Sequence, residues 1–179
     1  RDNYIYLQPS RPFYNAVYRI NTSTLNCDSI SLPKEITGET SNMNQMGKQM
    51  DVLEIDDKGK IAYLCYSRTL FQFNLYTKKV NKIRTYPTDE DVKGFQHFYN
   101  MFWYKLDANQ NLWVATLKDI TIYNPETLQP IRKIIAENDT YPLGLFHAEK
   151  ERIMCYLYSN GVILYDYLHN REFKLSLSD

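Results

Sequence analysis

Ile120-Thr-Ile-Tyr-Asn124-Pro-Glu-Thr127 is an apolar run that ends in Asn, turns, and leads into a second strand-like run at Pro130-Ile-Arg-Lys-Ile-Ile135. The phrase recurs three times, as Ala16-Val-Tyr-Arg-Ile-Asn21-Thr-Ser-Thr24, Leu70-Phe-Gln-Phe-Asn74-Leu-Tyr-Thr77 and Val162-Ile-Leu-Tyr-Asp166-Tyr-Leu-His169. Aligned on the Asn or Asp, successive copies lie 53, 50 and 42 residues apart. A side-chain oxygen at the first turn position accepts a hydrogen bond from the backbone two residues on, and Pro125 pre-sets its own φ for a type I turn. Each copy therefore fixes a hairpin.

Working outward, each phrase follows another apolar run, namely Tyr4–Leu7, Ile61–Tyr66, Leu112–Ala115 or Ile153–Tyr158, and precedes one more strand, at Asp28–Leu32, Val80–Tyr86, Pro130–Ile135 or Glu172–Leu177. In the last three copies a leading strand comes first, at Asp51–Ile55, Phe102–Leu106 and Gly144–His147, with polar turns after it. Four strands per unit at this period read as an all-β fold of β-propeller blades, since each small sheet buries its faces only against its neighbours. A β-sandwich also has short strands, but gives no reason to repeat the same turn chemistry in register. The blades are expected at about 1–33, 50–87, 101–136 and 143–179, forming a single propeller segment. The first begins at its second strand, so a segment of a larger propeller is expected in preference to a closed four-bladed ring.

The chain has 179 residues, 44% hydrophobic and 15% aromatic, which suits a globular core. Lys plus Arg and Asp plus Glu number 21 each, with no basic stripe, so no nucleic-acid partner is expected. The apolar runs fall far short of the ~20 residues that cross a bilayer as a helix, so no membrane contact by this segment is expected. Cys65 and Cys155 lie singly on apolar strands and read as small buried hydrophobes; with Cys27 they make an odd, unpaired set. His97, His147 and His169 fall in different settings without zinc-ligand spacing, and there is no glycine-rich phosphate loop and no G-x-S-x-G elbow. Asp56-Asp57 and Asp89-Glu-Asp91 read as solvated loop charge, and the sequons at Asn21 and Asn138 as turn residues outside a eukaryotic secretory setting. The expectation is no catalytic residue, no metal and no cofactor.

Functional surface is expected on the loops that gather at one rim, joining the second to the third strand of each blade and the last strand to the next blade. Pro33–Gln49 and Thr88–Asn100 are the long ones. Aromatic faces stack on the apolar faces of sugars, while fixed polar groups orient hydroxyls. On that chemistry Arg11, Tyr14, Arg68, Tyr99, Lys118 and Tyr141 are the candidate ligand-binding residues, whereas Phe98, Phe102 and Trp103 are expected to pack between blades.

Leu106-Asp-Ala-Asn-Gln-Asn-Leu-Trp-Val-Ala-Thr116, continuing to Ile120-Thr-Ile-Tyr-Asn-Pro-Glu-Thr127, resembles the two-component regulator propeller repeat: an acidic turn, Asn-Leu-Trp-Val/Ile-Gly-Thr, a short loop, then an aromatic and Asn/Asp-Pro. Asp57–Asn74 resembles it more loosely, with Tyr63 in place of the Trp, and Cys155 takes that place in the last copy. Ala115 replaces the repeat's usual Gly, and Asp119-Ile120 stands where Gly-Leu is common. The resemblance implies the periplasmic sensor region of a membrane-anchored hybrid two-component histidine kinase of Bacteroidetes type, with the kinase outside these residues. It implies a ligand-sensing segment responsive to glycans, itself not an enzyme; the alternative is a non-catalytic scaffold for protein interaction or cell-surface binding. The implied location is periplasmic, with extracellular as the alternative. The expected partners are an oligosaccharide or other small polar ligand, other blades of the same polypeptide, and a second copy of the chain.

Overall fold

In the computed structural model, residues 3–7, 15–38, 50–56, 58–66, 69–85, 103–116, 119–135, 142–148, 153–158 and 161–176 are described. Nearly everything among them is β, arranged in four antiparallel sheets. The first sheet has three strands, β1 (Tyr4–Leu7), β2 (Ala16–Asn21) and β3 (Cys27–Ser31). The second is β4 (Met50–Ile55), β5 (Ile61–Tyr66), β6 (Thr69–Asn74) and β7 (Val80–Thr85). The third is β8 (Trp103–Leu106), β9 (Leu112–Ala115), β10 (Asp119–Tyr123) and β11 (Pro130–Ile135). The fourth is β12 (Pro142–Ala148), β13 (Ile153–Tyr158), β14 (Gly161–Asp166) and β15 (Arg171–Ser176). Strand order within each sheet follows the chain, so every sheet is a meander.

The repeated Asn or Asp makes the same turn four times. Asn21 Oδ1 accepts the backbone N–H groups of Ser23 and Thr24 at 2.9 and 3.0 Å, and Asn74 those of Tyr76 and Thr77 at 3.0 and 2.8 Å. Asn124 accepts from Glu126 and Thr127 at 2.9 and 3.0 Å, and Asp166 from Leu168 and His169 at 3.2 Å each. Four residues past the anchor the chain turns left-handed in every copy, at Leu25, Lys78, Leu128 and Asn170, with φ between 52° and 62°. The anchor's carbonyl receives the N–H of that residue in the first three copies, at 2.8 to 2.9 Å. These turns confirm the hairpins read from the sequence, although no glycine marks the left-handed position.

Pairing register is also shared. Tyr6 lies opposite Arg19, Tyr63 opposite Gln72, Trp113 opposite Ile122 and Cys155 opposite Leu164, each partner being two residues before the anchor. The Tyr63 and Cys155 substitutions at the Trp place are thus in register with Trp113.

The chain divides into two compact units, Arg1–Asn100 and Met101–Asp179. In the first unit, Val17 and Ile30 of the first sheet meet Ala62, Leu64, Phe71 and Phe73 of the second, and Tyr6 packs against the cluster. Tyr6 Oη also donates to the Gly59 carbonyl at 3.0 Å. A single helical turn, α1 (Lys34–Thr37), lies where the sequence suggests only a polar loop; its Ile36 is fully buried in the same core. One apolar residue in four is too little periodicity to announce a helix, yet enough to pin one. In the second unit, Trp113, Ala115, Ile120 and Ile122 of the third sheet pack with Tyr165, Ile163 and Tyr167 of the fourth. The partly buried Trp103 joins this cluster, as expected; Phe98 and Phe102 lie outside the described residues. Of the cysteines, Cys65 is buried and Cys27 exposed.

Candidate functional site

At one end of each sheet the anchored turns close the chain. At the other end β5 passes to β6, β9 to β10 and β13 to β14, and this is the edge at which the sequence places ligand-binding loops. All six candidates, Arg11, Tyr14, Arg68, Tyr99, Lys118 and Tyr141, lie outside the described residues.

The described base of this edge carries a feature that the sequence did not single out. In the third sheet Asp119 begins β10 with its side chain almost fully buried, paired to Lys133 Nζ at 3.0 Å on β11. Its Oδ1 lies 3.2 Å from the Thr116 hydroxyl and 3.4 Å from that of Thr121. The Asp119 N–H donates to Thr116 Oγ1 at 3.2 Å, and the Thr116 N–H to the Asp119 carbonyl at 2.7 Å. A buried carboxylate is tolerated only when paired and hydrogen-bonded, and both conditions are met. The cluster ties the start of β10 to Thr116, just past the end of β9. The residue of the second sheet that corresponds to Asp119 is Thr69, buried and 3.3 Å from the Thr85 hydroxyl. Asp119 in place of the repeat's glycine was the available signal.

A polar chain crosses the second sheet: Asn81 donates to Gln72 Oε1 at 2.8 Å, and the buried Gln72 donates to Tyr63 Oη at 3.3 Å. Burial pushes the Tyr63 phenol up from its ordinary pKa.

The opposite edge is built for stability. Asp107, buried, accepts from the Asn109 and Asn111 backbone at 2.9 Å each and from the Trp113 indole at 3.0 Å. Asp56, read as loop charge, likewise holds its turn by accepting from Lys60 and Ile61 at 2.6 and 2.8 Å. The left-handed residue there is Gly59, φ 63°, which no side chain obstructs. Tyr167 Oη receives the Ala108 N–H at 3.1 Å, tying the fourth sheet to the third. His169 Nδ1 sits 2.7 Å from Asp166 Oδ2, and Arg132 bonds Tyr165 Oη and stacks over its ring. Among the described residues no group of three or more His, Cys, Asp or Glu is placed to hold a metal ion. Among them, too, no helix is long and apolar enough to cross a membrane.

No protein-family model and no curated protein matches the sequence. The fold is similar to virginiamycin B lyase from Staphylococcus aureus, with TM-score 0.63 and 10% identity, over 99% of this chain and 53% of the lyase chain. It is also similar to the extracellular domain of BT4673 from B. thetaiotaomicron, described as a proposed one component system, with TM-score 0.62 and 14% identity over 99% of this chain and 21% of that one. A second structure of that domain, described as belonging to a proposed hybrid two component system, gives TM-score 0.60 and 9% identity over 98% and 22% of the two chains. At such identities the likeness establishes shared fold, and the first of these proteins is an enzyme while the second belongs to a signalling system. The chain spans about half of the lyase and a fifth of the extracellular domain.

Proposed function

We propose that the chain is a propeller segment of the ligand-sensing, periplasmic part of a two-component signal-transduction receptor, its blades at about 1–33, 50–87, 101–136 and 143–179. The observation that carries this reading is the likeness of almost the whole chain to the extracellular domain of a signalling protein. The fourfold turn chemistry in one register supports the blade assignment. The segment acts by binding rather than by chemistry, and its ligand is an oligosaccharide or similar polar molecule held at the edge that carries Arg11, Tyr14, Arg68, Tyr99, Lys118 and Tyr141. Arg there fixes hydroxyls or a uronate carboxylate through paired hydrogen bonds, and Tyr stacks at low entropy cost. The bonds between Asp119 and Thr116 at the described base of that edge support this use.

The test is amide chemical-shift mapping of the labelled chain against a glycan library. Perturbations at those six residues and at Thr116 and Asp119 are expected. Shifts confined to the anchored turns or the outer strands β7, β11 and β15 would end the sugar-sensing version. That result would favour the interaction scaffold, a reading supported by the exposure of Phe173 and Leu175 on β15.

A further inference from the structure

We draw no further inference here: the strongest candidate, the side-chain pair of Asp166 and His169 in the anchored turn after β14, already closes that turn, and among the described residues no third His, Cys, Asp or Glu is placed with it to hold a metal ion.

Discussion

Trp113 does two jobs at the residue scale. Its ring is 1% exposed and lies 5.2 Å from the Tyr165 ring, while its indole N–H satisfies the buried Asp107. Trp113→Ala removes both, and chemical denaturation should show a loss of about 3–5 kcal/mol, in line with other deletions of buried aromatics. Trp113→Phe keeps most of the packing but removes one of two hydrogen bonds to Asp107 Oδ2, the other coming from Asn111 Nδ2 at 3.1 Å, and should cost about 0.5–1.5 kcal/mol. Tyr63 carries a pH dependence. Its folded pKa is raised by burial, so stability is intact below the ordinary tyrosine value of about 10 and falls as pH rises beyond it, because the unfolded chain ionises first. Urea midpoints between neutral and strongly alkaline pH should fall less for Tyr63→Phe than for the unaltered chain. Asp28 runs the other way. Hydrogen bonds from Arg19 at 2.7 and 3.0 Å hold its carboxyl below the usual range, so the stability it adds is present at neutral pH and disappears as pH drops through that lowered value. The pair is exposed, so the effect is small and should weaken with salt.

At the scale of the element, the anchored turn is the unit of the fold. Asn124→Ala strips the acceptor from two N–H groups and should lower stability by about 0.5–2 kcal/mol, the range found for helix caps, where a side chain plays the same part. Leu25 offers the reverse test. It is 78% exposed and held at φ 59°, so Leu25→Gly relieves backbone strain without loss of packing and should stabilise by about 0.5–1 kcal/mol after the entropy cost of glycine. The Asn and Asp anchors were legible because their side-chain oxygens have a mechanism. The left-handed residues were not, because Leu25, Lys78 and Leu128 lack the glycine that usually announces them. Strands were legible to within a residue or two at their ends, β1, β5, β9, β11 and β13 without any shift. The turn α1 was not, since Ile36 alone gives no period.

For the whole molecule, the repeat explains packing as well as hairpins. The aromatic before the anchor in one sheet lies against the Trp place of the sheet before it, as Tyr165 on Trp113 and Phe73 in the cluster with Tyr6. That arrangement follows from spacing, and so architecture was readable where chemistry was not. The candidate site depends on loops of unequal length that carry no period, and Asp119 passed as a departure from a motif because its value lies in Thr116, Thr121 and Lys133, which only the folded sheet brings to it. The most direct test of the repeated sheet-to-sheet contact is a double-mutant cycle on Trp113→Ala and Tyr165→Ala, measured by denaturant unfolding. Packed as described, the two rings should be coupled, the double variant losing about 0.5–1.5 kcal/mol less than the sum of the single losses. Losses that add to within about 0.3 kcal/mol would contradict the contact and the reading of the repeat on which it rests.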